Sequence, residues 1–384
     1  VKRRHVVHVL TVADSLIFID TLVQQTLAAG HEITVITSPD ARLDDFGRRL
    51  GVRTISVDMP RRVSPFGDWR SAAKLTELFQ RLGPDVVHAG TPKGGLLGML
   101  AASAAGVPVR IFHMRGLPSS TAKGVLRGVL ETTERVSCRA ATRVICQSRS
   151  LRAEAIERQL VEPSHAEVVL EGSNGVDANG RFSPQRHVAA GAALRTRFGI
   201  AEHEVVFGFV GRLVRDKGLP ELVAALERLE ARGVPARLLV AGPFEPRDPV
   251  PADVRQKLET HPRISLVGEV RDPAPVYAAS EVVVLPSHRE GFPNVPLEAA
   301  AMQKPVITTR VPGCIDSVED GVTGSLVNVN DPHSLADAME RYASDRNLRE
   351  SHGRAGRARV ERAFSRERIA QAMLALYARD LAGV

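Results

Sequence analysis

Short apolar runs of strand length alternate with amphipathic segments along almost the whole chain, in two successive series. The first series holds HVVHVL (5–10), EITVIT (32–37), VRTISV (52–57), DVVHAG (85–90), VPVRIFHM (107–114), TRVICQS (142–148) and AEVVLEG (166–172). Segments 15–29, 70–82, 93–105 and 120–140 between them carry helical periodicity. Strands that are apolar on both faces and joined by helices belong in a parallel sheet covered on each side. The rhythm stops at EGSNGVDANGRFSPQR (171–186), where glycine, asparagine and proline mark a linker. It restarts with EVVFGFVG (204–211), ARLLVAG (236–242), RISLVGEV (263–270), EVVVLPS (281–287), KPVITT (304–309) and TGSLVNV (323–329). From 331 onward the tail reads as helical, with Asp331 and Ser365 as expected N-caps. The pattern predicts an α/β chain of two doubly wound domains facing across a cleft. Open α/β sheets take ligands at their strand carboxyl ends, so function is to be read in the loops that follow strands.

Composition narrows the partners. The chain has 384 residues, 43% hydrophobic and 25% charged, which suits two ordinary globular cores. No run of 18 apolar residues occurs, so no spanning helix is expected, and VKRRHVVHVL reads as a first strand rather than a signal peptide. Cys138, Cys146 and Cys314 lie far apart without metal spacing, which points to a reducing compartment. A formal charge of +7 fits either a basic face toward phosphates or anionic lipid or a soluble enzyme with arginine-rich helices. Three tyrosines and one tryptophan argue against an aromatic platform for nucleic acid.

Two loops of the second series carry the densest chemistry. In FGFVGRLVRDKGLPEL a strand ends at Gly211, Arg212 follows, and Lys217 precedes Gly218 and a helix. A guanidinium fork and an ammonium near a helix N-terminus suit a diphosphate. Two solvated loop cations would leave the same trace. In SHREGFPNVPLEAAAMQ, Pro293 and Pro296 prevent one continuous helix through Glu290 and Glu298. Pro296 fits a first helical turn, which places Glu290 on the loop and Glu298 in that turn. The N–H groups of Gly291, Phe292, Asn294 and Val295 would form an anion cradle between two carboxylates that accept sugar or ribose hydroxyls. Loop solubility and a favourable helix-start charge are the plain alternative.

In these motifs the chain resembles the retaining GT-B glycosyltransferases of family 4. The likeness spans nearly the whole sequence and is strongest in VGRLVRDKG, LVGEVRD, LPSHREGFPNVPLEAAAMQKPVITTRVPGCIDSVEDGVTGSLV and FSRERIAQAMLALY. TPKGGLLGMLAASAAGVPVRIFHMRGLP, TERVSCRAATRVICQSRSLR and EGSNGVDANGRF resemble the capsular-polysaccharide and bacillosamine-type branch. The resemblance implies a GT-B fold: an acceptor-binding Rossmann-like domain over 1–180, a nucleotide-sugar-binding one over 181–362, and a C-terminal helix over 363–384 packing back on the first. It implies that Arg212 and Lys217, after Gly211, clamp the donor diphosphate. Glu290 would contact the transferred sugar, with the backbone of Gly291, Phe292, Pro293, Asn294 and Val295 beside it. Glu298 would hold the ribose, and Val267 and Gly268 would border the base. No metal or other cofactor is expected. Thr11, Ser15, Thr91, Lys93 and Arg115 are the acceptor-side candidates. Where many family members place histidine before glycine, this chain has Arg115, with His113 two residues earlier; either takes the polar role near the donor sugar.

The expected activity is retaining transfer of a hexosyl or N-acetylhexosaminyl group from a nucleoside-diphosphate sugar, UDP-linked by family habit, to a hydroxyl of a lipid-linked saccharide in envelope polysaccharide synthesis. The expected location is cytoplasmic, with peripheral contact at the inner face of the membrane through VKRRH, GRRLGVR and MPRRVSPFGDWR. A small-molecule acceptor in secondary metabolism, a nucleotide-sugar epimerase and a non-catalytic nucleotide-sugar-binding subunit are the alternatives. No nucleic-acid partner is expected.

Overall fold

The computed structural model describes residues 2–60, 64–246 and 248–383. The chain forms two compact units, one of 1–174 with 366–384 and one of 175–365. The first crossing falls inside the glycine- and asparagine-rich linker, earlier than the 180/181 boundary expected from sequence. The second falls after Ser365, slightly later than expected.

In the first unit the strands are β1 (His5–Val9), β2 (Glu32–Thr37), β3 (Arg53–Ser56), β4 (Val86–Gly90), β5 (Val109–Met114), β6 (Arg143–Cys146) and β7 (Ala166–Glu167). They pair in parallel in the order β3-β2-β1-β4-β5-β6-β7. Its connecting helices are α1 (Asp20–Ala28), α2 (Ala41–Leu50), α3 (Pro65–Leu82), α4 (Pro92–Ala104), α5 (Gly124–Ala140) and α6 (Arg149–Glu157).

The second unit holds α7 (Pro184–Arg197), β8 (Val205–Val210), α8 (Leu219–Ala231), β9 (Ala236–Ala241), α9 (Ala252–Thr260), β10 (Ile264–Gly268), α10 (Ala274–Ala279), β11 (Val282–Leu285), α11 (Asn294–Ala301), β12 (Val306–Thr309), α12 (Cys314–Ser317), β13 (Gly324–Val327), α13 (Pro332–Ser344) and α14 (Arg346–Ala363). Its strands run parallel in the order β10-β9-β8-β11-β12-β13. Valine, leucine and isoleucine on both faces of these strands are buried, as a sheet covered on each side requires.

The last helix, α15 (Arg366–Ala382), belongs to the first unit. Ile369, Ala370, Met373, Leu376 and Tyr377 bury themselves with Val6, Leu22, Val109, Ile111 and Ile145. Asp331 caps α13, accepting from the N–H groups of His333 at 3.1 Å and Ser334 at 3.0 Å.

Two local expectations change. The strand expected over 166–172 pairs only at Ala166 and Glu167, because positive φ at Leu170, Gly172 and Ser173 turns the chain out of the sheet. Segment 15–29 is broken into a 3₁₀ turn, Ala13–Phe18, and α1. The charged stretch around Asp44 and Asp45 is the amphipathic helix α2, which buries Leu43 and Phe46, is capped by Asp40 and ends at Gly51 with φ 67°.

Candidate active site

In each unit the strand order reverses at one place, between β1 and β4 and between β8 and β11. Connections leave such a switch point toward opposite faces, and the loops diverge into a ligand-sized crevice. The loops at the β8/β11 reversal are those that hold Arg212, Lys217 and Glu290.

Gly211 follows β8 and donates its N–H to Ala241 O at 3.0 Å; Gly268 ends β10 and accepts from Gly242 N–H at 2.8 Å. Gly211, Gly268 and the half-buried Val267 thus lie along one carboxyl edge. Arg212 is exposed and pairs with Glu245. Lys217 closes the 3₁₀ turn Arg215–Lys217, and its ammonium pairs with Glu290. Ser287 Oγ donates to the same Glu290 oxygen at 2.8 Å. Around them, Arg289 pairs with Asp216 at 3.0 Å and His288 Nε2 meets Glu221 at 3.1 Å. The hydrogen bond to the Glu221 carboxylate raises the His288 pKa.

Two glycines hold this loop in place. Gly218, at φ 71°, begins α8 so close to β11 that a Cβ would sit 2.0 Å from Pro286 O. Gly313, at φ 80°, approaches the loop from its other end, where a Cβ would sit 2.5 Å from Gly291 O and 3.0 Å from Phe292 N. Side chains are excluded at both positions by space and by backbone conformation.

Helix α11 starts at Asn294 with Pro293 as N-cap and no side-chain cap hydrogen bond. Its first-turn N–H groups face the loop end without a side-chain acceptor, and Pro296 lies within that turn, where a missing N–H is harmless. The helix begins two positions before Pro296, so Glu298 falls in the second turn rather than the first. It accepts a hydrogen bond from Tyr277 Oη at 2.7 Å. Burial, reinforced by the Glu298 charge, pushes the Tyr277 phenol well above its ordinary pKa and keeps it a donor. Phe292 is buried and packs on Phe364, ring centroids 5.5 Å apart, which leaves its backbone to serve the loop. Asn294 Oδ1 is buried without a hydrogen-bond partner.

In the first unit Thr11 and Thr91 meet at the β1/β4 reversal. Their hydroxyls lie 2.6 Å apart, Thr11 N–H donates to Thr91 Oγ1 at 3.1 Å, and Gly94 N–H donates to Thr11 Oγ1 at 2.8 Å. The pair ties the loop after β1 to the start of α4, and Thr91 holds φ at 69° to do so. Ser15 is buried in the 3₁₀ turn. Lys93 Nζ lies 2.7 Å from Asp68 Oδ1, with both side chains largely buried, so its charge is matched within the chain.

His113 and Arg115 part company. His113 is 5% exposed and stands in a file of three buried histidines on adjacent strands. Its Nδ1 is 3.1 Å from His88 Nε2, His8 packs on His88 with centroids 5.1 Å apart, and His88 Nδ1 meets Tyr377 Oη of α15 at 2.5 Å. Burial lowers the pKa of all three, His8 to about 3. Arg115 is hydrogen bonded to Asn174 and to Gln147 and lines a pocket. Gly90 makes room for it, since a Cβ there would lie 3.0 Å from Arg115 Nε.

Nothing in the sequence alone singles out a site role for Ser287, Tyr277, Gly218 or Gly313. The two glycines, one ending DKG and one inside VPGC, were legible as loop punctuation but not as neighbours of residues 286 and 291.

Comparison with known proteins agrees with this layout. The family described as glycosyl transferases group 1 matches residues 204–345, and the glycosyl transferase 4-like domain matches 18–172. A capsular polysaccharide biosynthesis glycosyltransferase, CapM of Staphylococcus aureus, is 32% identical over 98% of this chain and 97% of that protein. A UDP-Gal:α-D-GlcNAc-diphosphoundecaprenol α-1,3-galactosyltransferase of Escherichia coli is 29% identical over 80% of this chain and 77% of that protein. Anabaena HepE, solved in complex with UDP-glucose, superposes with a TM-score of 0.81 over the whole of both chains at 20% identity. With a glycosyltransferase model matching each half, a relative 32% identical along nearly the whole chain, and the two Rossmann-like sheets shared with solved GT-B enzymes, the chain belongs to the group 1 glycosyltransferases.

Proposed function

We propose that this enzyme moves a sugar, with retention at the anomeric carbon, from a UDP-sugar to a hydroxyl of a lipid-linked saccharide. The observation that carries the donor half is the Lys217–Glu290 pair at the β8/β11 reversal, beside the start of α11. A diphosphate seated there meets an ammonium, the Arg212 guanidinium and first-turn N–H groups, all of which stabilise the charge that grows as the glycosidic bond breaks. No metal is required in this scheme. Glu290 accepts hydrogen bonds from the transferred sugar, and Glu298, oriented by Tyr277, accepts them from the ribose. Glu290 is held by Lys217 and Ser287, which suits a carboxylate that orients rather than attacks. Transfer then proceeds on one face through an oxocarbenium-like state, and the leaving phosphate takes the acceptor proton.

The CapM likeness and the diphosphoundecaprenol-linked acceptor in the name of the Escherichia coli relative support a lipid-linked saccharide. Surface chemistry of the first unit supports peripheral binding to anionic membrane. Phe66 and Trp69 at the start of α3 are 64% and 67% exposed and stack with centroids 6.4 Å apart. Val125 and Leu126 at the start of α5 are also exposed, next to Lys123, while the neighbouring Arg127 pairs with Glu131 at 2.9 Å. Helix α4 packs against both α3 and α5, so the three helices share one layer. Exposed apolar groups among cations are what an anionic bilayer attracts. The other basic segments contribute less than their charge suggests: Arg4 pairs with Asp85, Arg48 with Asp45 and Arg49 with Asp20. Arg61 and Arg62 lie outside the described residues. No described helix is long and apolar enough to cross a membrane.

A panel of nucleotide sugars incubated without acceptor, scored for slow release of free sugar, tests the donor assignment. Proton coupling constants of the glycoside formed on a polyprenyl-diphosphate-linked sugar test retention. An inverted anomer, or an epimerised donor in place of hydrolysis, overturns the reading.

A further inference from the structure

The two loops that carry Lys217 and Glu290 are joined by more than that ion pair. His288 N–H donates to Asp216 O at 2.8 Å, and Arg289 Nη2 lies 3.0 Å from Asp216 Oδ2. Asp216 N–H in turn donates to Asp248 Oδ2 at 3.2 Å. His288 Nε2 lies 3.1 Å from Oε1 of Glu221, the acidic residue in the first turn of α8. Of these contacts, the last depends on a group that titrates near neutral pH.

His288 and Glu221 are largely buried, with side chains 19% and 15% exposed. Three carboxylates act on the imidazole: Glu221 of α8, Asp216 of the 3₁₀ turn and Asp248 of the loop before α9. The cations of the same loops, Arg289 and Lys217, are matched by Asp216 and Glu290. The hydrogen bond to Glu221 raises the His288 pKa above its ordinary 6.5; burial opposes this, and the three carboxylate charges add to it. For Glu221, burial works against the charge, but hydrogen bonds from His288 and from its own backbone lower its pKa. Glu221 Oε2 is buried without a hydrogen-bond partner, and His288 is the one side chain in an ion pair with Glu221 among the described residues. A neutral His288 leaves that carboxylate largely buried and uncompensated.

We propose that His288 is a positioning residue of the donor site: paired with Glu221, it clamps the loop of Lys217 to the loop of Glu290, and donor affinity follows the charge of this one side chain. That the clamped loops receive a donor rests on the function proposed above; the clamp itself does not. The charged pair is complete below pH 6.5 and is lost as pH rises through the raised His288 value, so donor binding weakens on the alkaline side. The buried histidines of the first unit act in the opposite direction, below pH 6.5.

Two measurements on the full chain test this: calorimetric titration with uridine diphosphate at pH 6.5 and pH 9, and hydrogen–deuterium exchange of the ligand-free protein over 215–221 and 287–292. Wild type is expected to bind uridine diphosphate about fivefold more weakly at pH 9, the difference between a charge-assisted and a neutral hydrogen bond. His288→Gln keeps a neutral donor toward Glu221 and is expected to bind at the weaker level at both pH values. His288→Lys keeps its charge to pH 9 and is expected to bind at the tighter level at both. The variants share any effect of the ligand's own phosphate ionisation near pH 6, which cancels in the comparison. Exchange protection of the two segments, compared between proteins at one pH, is expected to follow the same order. Equal affinity of wild type and both variants at each pH overturns the proposal, and so does equal exchange of wild type and His288→Gln at pH 6.5. Exchange that follows the charge in a chain with no affinity for uridine diphosphate would support the clamp and contradict the donor assignment.

Discussion

Lys217 and Glu290 form an ion pair where the second sheet reverses its strand order, with side chains 19% and 13% exposed. Seventy-three positions separate them in sequence, yet β8 and β11 are hydrogen-bonded neighbours, so their loops meet.

Removing one partner of such a pair leaves the other partly buried and unmatched. Lys217→Ala is expected to destabilise the chain by about 1–3 kcal/mol. It is expected to reduce kcat/KM for donor by about 100-fold, because in the proposed mechanism the ammonium also faces the leaving diphosphate. Urea unfolding and steady-state kinetics check the two effects. A kinetic loss no larger than that of a surface lysine change would remove Lys217 from the site.

Gly313 supports the loop from behind. Gly313→Ala places a methyl group 2.5 Å from Gly291 O at a φ of 80°. The loop must shift, and kcat should fall about tenfold or more while the fold loses about 1–2 kcal/mol. Unchanged kcat would show that the loop tolerates displacement.

The file of buried histidines is expected to make the first unit acid-labile. His8, His88 and His113 are held neutral mainly by burial, His8 with a pKa of about 3 against an ordinary 6.5. Below pH 6.5 the unfolded chain binds protons that the folded chain refuses, so stability is full above that pH and falls as pH drops. Each histidine contributes up to about 1.4 kcal/mol per pH unit to this loss. Urea midpoints between pH 7.5 and 5.5 should show it, and His8→Asn should flatten the slope. Identical slopes for the two proteins would contradict the assignment.

The proposed membrane contact through α3 and α5 is tested by flotation with anionic vesicles. Wild type should float with phosphatidylglycerol vesicles, while Trp69→Ala combined with Leu126→Asp should stay at the bottom. Equal flotation of both would place the contact elsewhere.

Much of this molecule is legible in its residues. Apolar strand runs and the glycine-rich linker announce two parallel sheets, and Glu290, Glu298, Arg212 and Lys217 stand out by chemistry and spacing. What periodicity cannot show is which neighbour each side chain meets. Lys93 reads as a cation at a helix start until Asp68, from another helix, is found against it. Thr11 and Thr91 read as two loop hydroxyls, but the β1/β4 pairing joins them. Helix α11 starts earlier than its sequence suggests because Pro296 fits either the first or the third helical position, and that moves Glu298 by a turn. Arg115 and His113, alike as polar residues at a strand end, separate only when the next strands and α15 are in place.

The central claim is that Glu290 orients the transferred sugar without forming a bond to it. Turnover of wild type and Glu290→Gln on the same UDP-sugar, with intact-mass analysis of the enzyme during reaction, tests it most directly. The account predicts a fall in kcat of about 100-fold or more for the variant and no sugar adduct on either protein. Near-normal kcat and donor KM would remove Glu290 from the site, and a glycosyl adduct on Glu290 would contradict the mechanism.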